Sequence, residues 1–134
     1  MKKLRYLTLS ENTINEPIPS HFGKLKNVNV RELQLDYKKF YGNIPMEIGL
    51  LSNLEHLWLP VNSLHGTIPT EIGILESLKA LVLSDDQVTG QSPLEIGTLS
   101  NLEWLWFDSN QWTRNVQSKL KKWNIWFFSI LEID

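Results

Sequence analysis

The sequence predicts an α/β solenoid, a right-handed superhelix with a parallel β-sheet on its concave side and short helices or 3-10 turns on its convex side. The first observation is a short apolar segment that recurs at intervals of 26, 24, 24 and 24 residues. Its copies are Leu7-Thr8-Leu9, Leu33-Gln34-Leu35, Leu57-Trp58-Leu59, Leu81-Val82-Leu83 and Leu105-Trp106-Phe107. The second observation is that two further short motifs recur in register with this segment. One is Ile-Pro, which begins at Ile18, Ile44 and Ile68, and the other is an apolar residue followed by glycine, at Gly23, Gly49, Gly73 and Gly97. A unit of about 24 residues cannot bury its own apolar face, whereas stacked units bury a shared core.

Each unit is predicted to contain a strand, a turn and a short helix, in that order. Leu-x-x-Leu-x-Leu alternates with period two, which is typical of a strand with one buried face. A polar residue follows in the turn at Asn12, Asn62 and Asn110, and Gly-x-Ile-Pro then turns the chain. The stretch Thr70-Glu71-Ile72 is predicted to be helical and to end at Gly73, because glycine can take the left-handed conformation. We expect one domain over residues 1–134, with repeats that begin near residues 4, 30, 54, 78 and 102 and a capping strand near 125–131.

The segment Thr67-Ile68-Pro69-Thr70-Glu71-Ile72-Gly73, with Leu75 and Leu78 after it, resembles the repeat of plant-type leucine-rich repeat proteins. Related repeats occur in plant receptor ectodomains, in inhibitors of cell-wall-degrading enzymes, and in algal and bacterial proteins. The resemblance covers about Leu4 to Trp123 and implies a leucine-rich-repeat solenoid. It implies a binding scaffold but leaves the partner open, because this fold carries many binding functions.

Two turn positions depart from the repeat. In solenoids of this family the turn asparagines normally form a buried ladder of hydrogen bonds to neighbouring backbone. Asp86 can accept such bonds but cannot donate them when it is ionised. Lys38 is expected to bend its ammonium outward to water. Two extra residues near Asn27-Val28-Asn29 predict an irregular first junction, caused by drift of a weak repeat or, alternatively, by a functional loop.

The last unit departs more strongly. Arg114, Gln117 and Lys121 replace the turn glycine, the proline and the last glycine of the unit. The pattern Ile125-x-x-Phe128-x-Ile130 still predicts a sixth strand, with Phe127 in the column of Trp104. The nearby lysines Lys119, Lys121 and Lys122 are expected to form a polar end surface, as terminal caps require, or alternatively to meet an acidic partner.

Side chains between the buried leucines are expected to point outward from the concave sheet. Neighbouring strands are about 4.8 Å apart, so Trp58 and Trp106 should lie on the order of 10 Å apart with Val82 between them. An exposed apolar patch with a polar rim usually marks an interaction site, and tryptophan is favoured in hot spots. The predicted partner-binding residues are His56, Trp58, Val82, Asp85, Trp104, Trp106 and Asp108. A protein or peptide is the predicted ligand; the alternatives are sugar stacking and a merely repetitive or supporting role for the tryptophans.

Motif content argues against other classes of function. No nucleophile motif, phosphate loop or nucleotide fingerprint occurs, so we expect no enzyme, no catalytic residue and no cofactor. The chain has no cysteine, and its three histidines fall in different layers, so no metal site is expected beyond a weak hint from Asp85 and Asp108. A net charge of −2 gives no general reason to bind nucleic acid.

The beginning of the sequence bears on location and assembly. No apolar run approaches the roughly 20 residues of a membrane span, and no signal peptide or membrane insertion is expected. Nothing before Leu4 covers apolar residues such as Leu7, Leu9 and Phe22. We therefore expect either a piece of a longer solenoid or self-association through the first repeat. The protein is expected to be intracellular or to be a fragment of a longer secreted or receptor protein.

Overall fold

The computed structural model describes residues 4–9, 14–37, 39–90, 94–112 and 126–127. In this part of the chain short strands alternate with short 3-10 helices. The strands are β1 (Tyr6–Thr8), β2 (Glu32–Gln34), β3 (Tyr41–Gly42), β4 (His56–Trp58), β5 (Ser63–Gly66), β6 (Ala80–Val82), β7 (Gln87–Gly90), β8 (Trp104–Trp106), β9 (Gln111–Trp112) and β10 (Trp126–Phe127). The helices are η1 (Ser20–Asn27), η2 (Met46–Leu50), η3 (Thr70–Ile74) and η4 (Leu94–Thr98).

The strands form two parallel sheets that run along the stack of repeats. A six-stranded sheet has the order β1-β2-β4-β6-β8-β10, and a four-stranded sheet has the order β3-β5-β7-β9. In the larger sheet Leu7, Leu33, Leu57, Leu81 and Leu105 align across neighbouring strands. The predicted leucine-rich-repeat solenoid is confirmed, and the larger sheet is its concave face.

The register of β10 differs from the sequence prediction. Trp126 pairs with Trp104, and Phe127 pairs with Leu105. Phe127 is therefore one position away from the predicted column, and the alignment of Phe127 with Trp104 was wrong. The preceding segment lacks the turn glycine and the proline by which the middle repeats can be aligned. The register of the last strand therefore could not be read from the sequence. The predicted capping role of residues 125–131 stays a prediction, and the three lysines of the expected end surface lie outside the described residues.

The core is a continuous stack of identical layers. The strand leucines Leu57 and Leu81 are buried, as are Leu64 after the turn and Ile72 in η3. Burying one such side chain contributes roughly 1.5–3 kcal/mol, and every coil supplies several. The first coil is less well covered, since Leu7, Leu9, Ile14, Phe22 and Leu25 are only partly buried against this core.

Proline sets the start of the convex-side helices. Pro45 and Pro69 precede η2 and η3 with φ of −71° and −65°, close to the value to which the proline ring restricts φ. The helices η2, η3 and η4 each have five residues, whereas η1 has eight. The longer η1 lies where the sequence has its two extra residues, so the first junction is irregular in the way that the repeat count predicted.

The role predicted for Gly73 was wrong. Helix η3 continues past it to Ile74, and the glycines with positive φ are Gly42, Gly66 and Gly90 instead. Coils approach each other closely at Gly73 and at its counterpart Gly49. A Cβ on Gly49 would lie 2.5 Å from the Glu71 carbonyl oxygen of the next coil. Glycine recurs at this position because the neighbouring backbone occupies the space of a side chain, and not because of its φ.

The turn asparagines form the expected ladder. The Asn62 Oδ1 accepts a hydrogen bond from the Phe40 backbone N–H at 3.2 Å, and its Nδ2 donates to the carbonyls of Leu35 and Leu59, both at 2.9 Å. Asn110 repeats this arrangement one ladder step beyond Asp86, with the Leu83 carbonyl as an acceptor. The ladder joins each turn to the one before it. The predictions for Asn12 and Lys38 lie outside the described residues.

Candidate functional site

A groove of about 330 Å³ lies on the concave sheet near the carboxyl ends of its strands. The residues along it come from four consecutive repeats. They are Gln34, Asp36, Tyr37, Trp58, Pro60, Val61, Val82, Ser84, Asp85 and Trp106. The parallel register brings them together, because it places equivalent positions of successive repeats side by side.

Two tryptophans are part of the groove lining. Trp58 on β4 and Trp106 on β8 are half-buried and flank Val82 on β6, with which both are in register. Val82 is only 2% exposed, and its neighbour Ala80 is also buried. The predicted exposed patch is therefore corrected: Val82 forms a nearly covered floor between two strands that carry tryptophan at the same position.

The predicted site residues fall into two groups. Trp58, Val82, Asp85 and Trp106 line the groove. His56, Trp104 and Asp108 do not line it. His56 and Trp104 lie nearer the starts of their strands, and the Trp104 side chain is 43% exposed. Asp108 lies beside the groove, where its carbonyl accepts a hydrogen bond from the Asp85 N–H at 3.2 Å.

The sequence-based set omitted several lining residues at the strand ends. These are Gln34, Asp36, Tyr37, Pro60, Val61 and Ser84. A shared backbone feature explains why this edge faces the groove: Tyr37, Val61, Asp85 and Ser109 all have φ between 52° and 57°. Each left-handed residue turns the chain at the same place in its coil. The signal was present in the sequence as the 24-residue step between Tyr37, Val61 and Asp85, but nothing in their side chains indicated a shared conformation.

Charge is distributed unevenly across the concave sheet. At the strand starts, Glu55 accepts hydrogen bonds from Arg31 at 2.6 Å and from Lys79 at 2.8 Å. The hydrogen bond from Lys79 and the two positive charges lower the pKa of Glu55 below its ordinary value. At the strand ends, the lining of the groove carries the carboxylates of Asp36 and Asp85, and no lysine, arginine or histidine is among its described residues.

Two buried polar groups lie close to the groove. The Trp58 Nε1 is shielded from solvent and has no acceptor among the residues that the structure describes. Asp86, next to Asp85, is 8% exposed and accepts a hydrogen bond from the Leu64 N–H at 2.9 Å. Burial raises the pKa of Asp86 to about 7, although hydrogen bonds to the carboxyl act in the opposite direction. A buried polar atom without a partner costs about 1–3 kcal/mol, so both groups are destabilising as they stand.

The described ranges contain neither a metal-binding cluster nor a helix that could span a membrane. No group of three or more His, Asp or Glu side chains there is arranged to hold a metal ion. His21, His56 and His65 lie in η1, β4 and β5. Within the same ranges, no helix has the length and apolar character required to cross a membrane.

Comparisons with known proteins agree with this fold. A family model described as Leucine Rich Repeat matches residues 3–25. The receptor kinase-like protein Xa21 of Oryza sativa subsp. japonica is 40% identical over 57 residues, which are 42% of this chain and 5% of that protein. The crystal structure of a TDR receptor is 32% identical, with a TM-score of 0.86 over 96% of this chain and 22% of that chain. The ectodomain of the Arabidopsis receptor kinase HAESA, solved in complex with an N-terminal extended IDA peptide hormone ligand, is 30% identical, with a TM-score of 0.84 over 93% of this chain and 21% of that chain.

The repeat register, the turn ladder and these likenesses show a leucine-rich-repeat fold. The chain is similar to repeats of plant receptor ectodomains. It spans 5% of Xa21 and 22% and 21% of the two receptor structures, so it corresponds to a short stretch of each.

Proposed function

We propose that this solenoid is a non-catalytic scaffold that binds a protein or peptide through the groove on its concave sheet. The observation that carries the proposal is the groove itself, which has tryptophans on both sides and an apolar floor at Val82. Trp58 and Trp106 lie on strands two steps apart in the sheet, which is a backbone separation of about 10 Å. Tryptophan contributes a large contact area at small entropic cost, which is why it is enriched in hot spots.

Two further features support a peptide ligand. The HAESA ectodomain, to which this chain is similar, was solved with a peptide hormone ligand. The shielded Trp58 Nε1 is a hydrogen-bond donor that a peptide carbonyl would satisfy if the indole turned toward the groove. An unsatisfied donor beside an apolar floor suits a ligand that offers both carbonyls and apolar side chains.

The test uses peptides selected from a random twelve-residue display library on the immobilised chain, with binding then measured by fluorescence anisotropy. Trp106→Ser should weaken binding of a selected peptide about thirtyfold, the loss of about 2 kcal/mol typical of a hot-spot residue. Trp104→Ser is the matched control, because it changes the same residue type on the same strand outside the groove lining. It should leave binding nearly unchanged. Circular dichroism of both variants checks that the fold is intact.

Equal loss in both variants would place the binding surface elsewhere on the sheet, and failure to enrich any peptide would count against the proposal. Sugar stacking on the tryptophans and self-association through the first repeat stay predictions. A glycan array and light scattering over a wide concentration range address them with the same two variants.

A further inference from the structure

We propose that the groove selects a ligand with a basic side chain, a lysine or arginine held at the Asp85 end of the groove between the two tryptophans. The inference rests on the proposed function and specifies the chemistry of the ligand. It depends on three observations about the groove: its charge, the conformation of Asp85, and the aromatic walls beside it.

The first observation is the sign of the charge. Asp36 and Asp85 contribute carboxylates to the described lining, and the side chain of Asp85 is exposed to solvent. The cations Arg31 and Lys79 lie at the opposite end of the strands, bound to Glu55. Five residues of strand separate position 31 from position 36, which is about 17 Å and beyond the roughly 8–10 Å screening length of physiological salt. The exposed carboxylate of Asp85 is therefore well separated from the cations at the strand starts and can pair with a positively charged ligand.

The second observation is the fixed position of Asp85. Its φ is 57°, and its backbone N–H donates to the Asp108 carbonyl at 3.2 Å. The equivalent residues Tyr37 and Val61 have the same left-handed conformation and their own bonds to the next coil, to Pro60 and Ser84. The carboxylate of Asp85 is thus exposed on a backbone that is held on both sides. A charge on a rigid backbone loses little freedom when it binds a partner, which favours ion pairing.

The third observation is the aromatic wall. A guanidinium or ammonium group gains an attraction of its own over the face of a tryptophan, and this gain is larger where water is excluded. Trp58 and Trp106 are half-buried on either side of the Val82 floor. The methylene stem of a lysine or arginine would lie against the exposed parts of the two indoles while its charged end reaches Asp85. A neutral ligand would leave the Asp85 carboxylate without a partner. An acidic ligand and this carboxylate would repel each other.

The experiment begins with the display library used for the proposed function. Lysine or arginine should be enriched at one position of the selected peptides, and aspartate and glutamate should be depleted. One selected peptide is then synthesised in two forms that differ by arginine against citrulline, which has nearly the same shape and no charge. The arginine form should bind at least about tenfold more tightly, as expected for one charge-assisted hydrogen-bonded pair.

Two isosteric variants locate the effect. Asp85→Asn should bring the arginine and citrulline forms to within about twofold of each other, since the paired charge is gone. Asp108→Asn removes a neighbouring carboxylate outside the lining and should keep the tenfold preference. Raising the salt concentration should reduce the preference of the wild-type chain for arginine.

The outcomes separate the two proposals. If no peptide is enriched on the folded chain, the proposed peptide binding fails and this inference fails with it. If peptides bind in a manner that depends on Trp106 but arginine and citrulline forms bind equally, peptide binding stands and the basic-ligand inference is overturned. A preference for arginine that survives Asp85→Asn but is lost in Asp108→Asn would also overturn the assignment to Asp85.

Discussion

A single substitution in the turn ladder illustrates how a residue can depart from the repeat without changing the fold. Asp86 occupies an asparagine position and keeps the accepting half of the pattern through the Leu64 N–H. The donating half is missing, and the Asp86 Oδ2 is buried with no partner within the described residues. In the equivalent step, Asn62 donates to the carbonyls of Leu35 and Leu59. A protonated Asp86 could supply such a donor, which agrees with a pKa raised to about 7.

The stability of the protein should therefore fall as pH rises through the range between the ordinary aspartate pKa of 3.8 and about 7. In that range the folded state retains a proton that the unfolded state has released, so each increase in pH favours unfolding. Below this range the contribution is fully present, and above it the loss is complete. Urea unfolding at about pH 5 and about pH 8 measures the change.

Asp86→Asn isolates this effect from other titrating groups. The variant should be more stable than the wild-type chain above neutral pH, by about 1–3 kcal/mol, because its amide supplies the missing donor. Its advantage should shrink toward low pH. The exposed neighbour is the control: Asp85→Asn should keep most of the pH dependence, because burial is the largest cause of the raised Asp86 pKa and the charge of Asp85 is a smaller one. An advantage of Asp86→Asn that is the same at both pH values would refute the protonation.

At the scale of the element, the distance between coils determines which residues the convex side can hold. Gly23, Gly49 and Gly73 each face a glutamate of the next coil at a distance that leaves no room for a Cβ. The glycine at position 42 has a different reason, since its φ is 79° and the nearest atom to a Cβ would be 3.7 Å away on Pro17. One residue type thus recurs at two places in the repeat for two physical reasons.

Gly49→Ala should lower the free energy of unfolding by about 1–3 kcal/mol, because the added methyl would overlap the Glu71 carbonyl and force the coils apart. Gly42→Ala should cost about 1–2 kcal/mol through its left-handed backbone alone. The two mechanisms separate with asparagine, which tolerates the left-handed region: Gly42→Asn should recover part of the loss, whereas Gly49→Asn should not. Thermal and urea unfolding of the four variants measure this, and recovery by Gly49→Asn would contradict the steric explanation.

For the whole molecule, stability is expected to vary along the stack because each coil contacts only its neighbours. The Leu9 N–H donates to the Gln34 carbonyl at 3.1 Å, and the Leu59 N–H donates to the Val82 carbonyl at 2.9 Å. The bonds are equivalent, but Leu9 is only partly buried and Leu59 is completely buried.

The amide of Leu59 should therefore exchange with solvent much more slowly than that of Leu9, since opening β4 exposes a larger apolar area than opening β1. The Leu83 amide, bonded to the Trp106 carbonyl at 2.9 Å, is expected to behave like Leu59. Native-state hydrogen exchange followed by NMR measures the three rates. Equal protection at Leu9 and Leu59 would mean that the described coils open as one cooperative unit.

The candidate site was only partly predictable. Trp58, Val82 and Trp106 were chosen because alternation along a strand puts them on the outer face, and Asp85 was chosen as part of the polar rim; all four line the groove. Alternation cannot reveal that Val82 would be covered, because the side chains covering it belong to repeats 24 residues away. The same limit applies to Tyr37 and Val61, whose participation depends on a left-handed turn that neither side chain favours.

The sequence by itself determined the solenoid, its repeat length, its buried leucines and the ladder positions. The reason is that apolar residues repeated every 24 positions can all be buried at once only when the coils stack in parallel. Tertiary structure alone decided the distances between coils. Those distances exclude a side chain at Gly49 and bury Val82 between the two strands that carry Trp58 and Trp106. Each of these results comes from atoms that are far apart in the chain and meet only when the coils stack, so no local pattern could have indicated them.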